Sequence, residues 1–334
     1  MHPRLHVDEA ADRSTVSTGR LPSPQLVHAR LKEAHERFVN IRDGEVATYI
    51  PALARAPRDV FALCVVGVDG TTCLAGECFH EFSIQSIAKP FAFALICQHL
   101  GGAVARRRVG VNSSGLSFDS IMAIELHAAR TVNPMVNAGA IATTSLAPGA
   151  NAEERWQFIL EGLSRFAGRS LEIDEEIYRS ESTTNQRNQC IARLLGSYGR
   201  LYGDPFESTD LYTRQCSLNV TVKDIAVMGA TLADGGVNPL TRERVVDADC
   251  CARVLAVLAT AGMYEQSGDW LYEVGLPGKS GVSGGIVTVA PGKGGLATFA
   301  PLLDDVGNSI KGQLATRFLS RQLGLGLFAS AAAG

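Results

Sequence analysis

Three observations predict an α+β fold, with one antiparallel sheet flanked by helices and a large all-α part beside it. Strand signals sit near the two ends of the chain, in DVFALCVVGVDGTTCLAGECF and GGIVTVAPGKGGLATFAPLL. Helical periodicity fills the sequence between them. Further helical segments begin at Pro24 and close the chain. Early and late strands combine most simply into one antiparallel sheet backed by the terminal helices, which puts a site at the seam with the helical middle.

The elements follow in order. Leu26, Val27, Leu31 and Phe38 recur at helical spacing after Pro24-Gln25, predicting a helix from Pro24 to about Ile41. Two strand-like runs flank Asp69-Gly70, a strong hairpin signal. FSIQSIAKPFAFALICQHLGG reads as a mostly apolar helix stopped by Gly101-Gly102. Pro90 is tolerated only near its first turn, so Ser86 stands at the helix N-terminus. AEERWQFILEGLSRFAG, NQRNQCIARLLGSYG and VKDIAVMGATLADGG carry apolar three/four spacing and end at glycine. A second hairpin turns at Pro291-Gly292, and NSIKGQLATRFLSRQLG closes as a helix. The organisation that follows is a mobile polar extension over 1–23, a single domain over 24–325 and a tail over 326–334. Within the domain the sheet layer takes about 24–85 and 265–325, and the helical subdomain about 86–264.

Composition excludes several classes. With 334 residues, 46% hydrophobic and 19% charged, the chain is that of a soluble globular protein able to bury a large core. A net charge of −3 leaves no electrostatic footprint for nucleic acid or an acidic membrane surface. No apolar run reaches the roughly 18 to 20 residues of a membrane span. Eight cysteines without a CxxC, and a first segment without an apolar core, predict reduced, buried thiols in a cytoplasmic protein.

Four stretches carry the chemistry. Ser86 and Lys89, three residues apart at a helix mouth, share one face. They are either a nucleophile and its base or two ordinary polar residues. A lysine is a base only where burial or a cationic neighbour keeps it neutral. Lys279-Ser280-Gly281 sits just before a predicted strand, and SxxK early with K-[ST]-G late is the layout of penicillin-recognising serine enzymes. The amides of Ser86 and Val282 are placed to complete an oxyanion hole. The same GKS is not a phosphate loop, because GxxxxGKS needs glycine where Glu273 stands. NPMVNAGAI sets Asn133 and Asn137 near a small-residue turn, either as Asx turns or as amides for a polar substrate. SESTTNQRN, from Ser180 to Asn188, is either an N-cap cluster or part of a pocket. The seven histidines show neither HExxH nor Cys/His metal spacing and fall outside these stretches, which disfavours a histidine triad and a zinc site.

Together these stretches resemble the serine-dependent glutaminase family, whose fold is similar to that of the serine β-lactamases and penicillin-binding proteins. TYIPALA, FSIQSIAKPF, VGVNSSGLSFDS, NPMVNAGAI, SESTTNQRN, LYTRQCSLNVT, ATLADGG, AGMYEQSGDW, GLPGKSGVSGGI and DVGNSIKGQ occur in the family's order from about 45 to 315. The resemblance implies an amidohydrolase acting on L-glutamine without metal or organic cofactor. It implies Ser86 as nucleophile, Lys89 as its base, Tyr264 as a proton-relaying hydroxyl, and the Ser86 and Val282 amides as the oxyanion hole. Tyr49, Gln85, Asn137, Glu181, Asn188 and Tyr212 are implied to line the glutamine pocket, and the family forms homodimers and homotetramers. The sequence departs from the family at Asn112-Ser113, Val132, Thr183 and Asn185-Gln186, none of them a residue implied in the chemistry.

Overall fold

A computed structural model describes residues 19–330. Its main sheet has five antiparallel strands in the order β2-β1-β7-β6-β5. These are β1 (Ala62–Gly67), β2 (Thr72–Gly76), β5 (Gly278–Ser280), β6 (Gly285–Ala290) and β7 (Gly294–Phe299). Early and late strands meet where β1 pairs with β7, Val65 opposite Leu296. Gly70 and Gly292 take the left-handed turn conformations of the two predicted hairpins, at φ +85° and +73°.

Alternation along the strands feeds two separate cores. Leu63, Val65, Ile286 and Leu296 face α1 (Pro24–Phe38) and α13 (Ile310–Gln322). Cys64, Val66, Val287, Val289 and Ala297 face the opposite way, into a core shared with α2 (Ala88–Leu100), α6 (Ala152–Ala167), α10 (Val222–Ala233) and α11 (Ala248–Ala261). Although α10 lies within the stretch assigned to the helical middle, it packs directly on β1, β6 and β7. Two glycines permit this approach. A Cβ on Gly295 would stand 2.2 Å from the Ala226 carbonyl, and one on Gly229 would stand 2.9 Å from Val287 Cγ2.

The remaining helices are α3 (Gly102–Val109), α4 (Met122–Glu125), α5 (Asn137–Thr144), α7 (Glu175–Ser182), α8 (Gln186–Ser197), α9 (Pro205–Cys216) and α12 (Ser267–Val274). A two-stranded ribbon of β3 (Phe82–Ser83) and β4 (Asn219–Val220) ties the entrance of α2 to the exit of α9. The first helix ends at Phe38 rather than near Ile41. Most of the 1–23 extension and the last residues of the tail lie outside the described residues. Among the described residues no helix is long and apolar enough to cross a membrane.

Candidate active site

Ser86 stands in the 3-10 turn Gln85–Ile87 that opens α2, with Pro90 in that helix's first turn. Ser86 and Lys89 are buried, and α2 is enclosed from Ala88 to Cys97, so its apolar character all round follows from burial. Lys279-Ser280 lies within β5 itself rather than just before a strand. A Cβ on Gly281 would meet Ile87 Cγ1 at 3.1 Å and the Ile84 carbonyl at 3.2 Å. The end of β5 therefore rests against the turn that carries Ser86, and the missing side chain of Gly281 allows that close contact.

Lys89 Nζ donates to Asn137 Oδ1 at 2.7 Å and to the Met135 carbonyl at 3.4 Å. Burial lowers its pKa to about 8, although Cys216, Glu181 and Asp119 pull the other way. Asn137 Oδ1 also accepts from the Tyr212 hydroxyl at 3.2 Å, and its Nδ2 donates to Asn188 Oδ1 at 3.0 Å. One amide thus joins the lysine implied as base to two residues implied in the pocket.

The two asparagines of NPMVNAGAI have separate tasks. Asn133 makes the Asx turn, accepting from the Met135 N–H at 2.9 Å, and its Nδ2 holds the Asn112 carbonyl. Asn137 begins α5, so its stretch is a helix start and not a small-residue turn. The small residues serve packing, since a Cβ on Gly139 would stand 1.8 Å from the Asn133 carbonyl.

Tyr264 donates its hydroxyl to the Ser280 carbonyl at 3.1 Å. Burial pushes the phenol pKa far up, so it stays protonated. Val282 and Tyr264 belong to one small apolar cluster with Ile50, Leu53 and Leu303.

Glu181 is buried at the end of α7, and Gln85 Nε2 donates to its Oε2 at 3.2 Å. Burial raises the Glu181 pKa to about 7, opposed by the Gln85 hydrogen bond and by Lys89. The segment from Ser180 to Asn188 is not an N-cap cluster. Ser180 to Ser182 finish α7, and the Thr183 and Thr184 hydroxyls bond back to the Ser180 carbonyl. Asn185 holds the N-cap position of α8 without a side-chain capping bond. Tyr49 is 55% exposed, yet desolvation, then Tyr264 and Glu181, hold its phenol well above its ordinary pKa. Solvent reaches this side chain, but the surface around it is crowded by protein atoms. The Ala52 N–H bonds to Ser180 Oγ at 3.1 Å and fastens its loop to α7.

Among the described residues, two of the four non-glycine residues at positive φ are Gln85 (+48°) and Tyr264 (+55°). Left-handed backbone is costly for such side chains and concentrates at functional sites. The histidines stand apart: His35 stacks on Phe61, His80 on Phe299, and His99 meets Phe158 edge-on. His2 and His6 lie outside the described residues.

Two residues at this site received no role from the sequence. Lys279 is fully buried, donates to the Ser280 carbonyl at 2.7 Å and lies 4.3 Å from the centre of the Tyr264 ring. Burial, then the nearby Lys89, pushes its pKa well down. Its signal was the first letter of KSG. Phe118 packs on Tyr264 with ring centres 4.9 Å apart and has Lys89 Nζ 6.0 Å from its own centre. Its stretch, VGVNSSGLSFDS, marked the region but not the residue.

The sequence pattern of the Glutaminase family matches residues 44–328. Glutaminase 2 of Yersinia pestis is 61% identical over 94% of this chain and 93% of its own length. A solved structure described as probable glutaminase ybaS superposes with a TM-score of 0.91 at 43% identity, covering 92% of this chain and all of that one. The crystal structure of Mglu in its tris and glutamate form gives a TM-score of 0.87 at 40% identity, over 93% of this chain and 69% of that one. The fold is the β-lactamase-like one of these proteins, and the chain belongs to the glutaminase family.

Proposed function

We propose that this glutaminase converts L-glutamine to L-glutamate and ammonia through a covalent glutamyl ester on Ser86. Lys89, whose pKa burial lowers to about 8 so that a fraction is neutral near pH 7, takes the Ser86 proton as Oγ attacks the side-chain amide carbon. The amides of Ser86 and Val282 receive the negative charge that grows on the amide oxygen. As the carbon–nitrogen bond breaks, a proton passes through Tyr264 to the leaving nitrogen, and ammonia departs. Water then attacks the ester, giving its proton to the same relay, and glutamate is released with the Ser86 hydroxyl restored. Glu181, with Gln85 beside it, takes the substrate ammonium, while Asn137, Asn188, Tyr212 and Tyr49 supply donors for the carboxylate.

The observation that carries the reading is the hydrogen bond from Lys89 to Asn137, which brings the acylating group and the amino-acid pocket onto one amide. Assay of ammonia release from glutamine, asparagine and a chromogenic β-lactam tests it. Release from glutamine that disappears in Ser86→Ala supports the reading; no release from glutamine, or release undiminished in that variant, overturns it. Eight free cysteines, all but Cys190 buried, support a reducing cytoplasmic setting. The family's homodimers and homotetramers make a homo-oligomer the expected assembly, which light scattering of the purified chain decides.

A further inference from the structure

A short polar loop between β7 and α13 touches two parts of the acylation machinery at once. Asp304 Oδ1 accepts the N–H groups of Val306 (3.0 Å), Gly307 (3.0 Å) and Asn308 (2.9 Å), and its Oδ2 accepts from Gln313 Nε2 of α13 (2.9 Å). The Asp304 N–H closes the loop on the Asn308 carbonyl at 2.9 Å. Gly307 has φ +103°, and a Cβ there would lie 3.6 Å from Val282 Cγ1 and 3.7 Å from Tyr264 Cε2. The loop backbone therefore rests against both the residue implied in the oxyanion hole and the residue implied in proton relay. Asn308 is fully buried, and its Nδ2 donates to Gln266 Oε1 at 3.1 Å. Gln266 ends the 3-10 turn that Tyr264 opens at φ +55°. Left-handed backbone at a tyrosine persists only where its surroundings hold it. Ser267 Oγ grips the turn from one side through the Tyr264 carbonyl (2.7 Å), and Asn308 grips it from the other through Gln266.

We propose that Asp304, Asn308 and Gln266 are positioning residues that fix the Tyr264 hydroxyl relative to the Val282 amide. The inference rests on the assignment of Tyr264 and Val282 to the reaction. Asp304 shapes the loop, Gly307 sets its distance from both groups, and the bond from Asn308 to Gln266 transmits that shape to the strained turn. Because their side-chain hydrogen bonds go to the loop, to α13 and to the Tyr264 turn, and to none of Tyr49, Gln85, Asn137, Glu181, Asn188 and Tyr212, their loss is expected to fall on the chemical step rather than on binding.

The test measures kcat and KM for ammonia release from glutamine in Gln266→Ala, Asn308→Ala, their double variant, Asp304→Asn and Asp304→Ala, with Tyr264→Phe alongside. Each alanine variant is expected to lower kcat on the order of tenfold while KM moves less than about threefold, the pattern of a misplaced catalytic group. The double variant is expected to lose no more than the worse single one, since both remove the same bond. Asp304→Asn is expected to retain more activity than Asp304→Ala, because its amide oxygen still accepts the three N–H groups. Should buried Asn308→Ala fail to fold, the partly exposed Gln266→Ala and the near-isosteric Asp304→Asn still decide. A kcat within about twofold of the parent in Gln266→Ala, or additive losses in the double variant, overturns the brace. Full activity in Tyr264→Phe overturns the Tyr264 assignment and the brace with it. An inactive Tyr264→Phe beside an unaltered Gln266→Ala overturns the brace alone.

Discussion

Lys89 Nζ and Asn137 Oδ1 stand 2.7 Å apart, and that amide is uncharged. A buried lysine paired with a carboxylate would be held as an ammonium, unable to accept a proton. Paired with an amide, it keeps a directed hydrogen bond and a pKa lowered to about 8. Asn137→Asp should reverse this. The new carboxylate raises the Lys89 pKa, so the acid limb of kcat/KM moves upward by about a unit or more. A limb that stays in place or moves downward contradicts the assignment of Lys89 as the base.

The parent enzyme should show two pH dependences of the same direction. As the proposed base, Lys89 acts only when deprotonated, so kcat/KM is expected to rise with pH through about 8. As the proposed ammonium ligand, Glu181 acts only when ionised, so KM is expected to fall as pH rises through about 7. Initial rates from pH 5.5 to 9.5 separate the two, and Glu181→Gln should remove the KM dependence while raising KM at neutral pH.

Lys89 also carries a cost in stability. Its folded pKa lies below its unfolded value of 10.5, so the folded state is penalised wherever the unfolded chain holds that proton and the folded one resists it. The penalty, on the order of 3 kcal/mol, is fully present below about pH 8 and fades as pH rises toward 10.5. Lys89→Met should be inactive yet at least as stable as the parent at pH 7, with that advantage shrinking by pH 10. Thermal melts at the two pH values check it, and an advantage that grows with pH contradicts it.

Gly139→Ala should be strongly destabilising, by about 3 kcal/mol or more, because its Cβ would collide with the Asn133 carbonyl at 1.8 Å. A small residue in a helix is ordinarily improved by alanine, so the sign of this change is diagnostic. Urea denaturation measures it, and a neutral or stabilising result would show that the first turn of α5 can move away from Asn133.

Regular patterning made most of the fold legible. The apolar run around Leu63, Cys64 and Val65 reads as a strand, and Asp69-Gly70 and Pro291-Gly292 announce hairpins that the structure contains. The placement of α10 on the sheet was not legible, because it depends on glycines of two distant segments, Gly229 and Gly295, meeting face to face. The same limit applies at the site. The motifs named Ser86, Lys89, Asn137 and Glu181, but the hydrogen bond from Gln85 to Glu181 joins residues 96 positions apart and leaves no local signal. Lys279 was named within KSG, but its burial was not legible because a buried lysine and an exposed one look alike in sequence. Tyr264 and Gln85 at positive φ break local backbone preference, and such exceptions are readable only in three dimensions.

The covalent step is the centre of the account, and mass spectrometry of enzyme quenched during glutamine turnover tests it most directly. The expected result is a mass gain of one glutamyl group on the peptide containing Ser86, absent in Ser86→Ala. Steady ammonia release with no adduct on that peptide, persisting in Ser86→Ala, would contradict it.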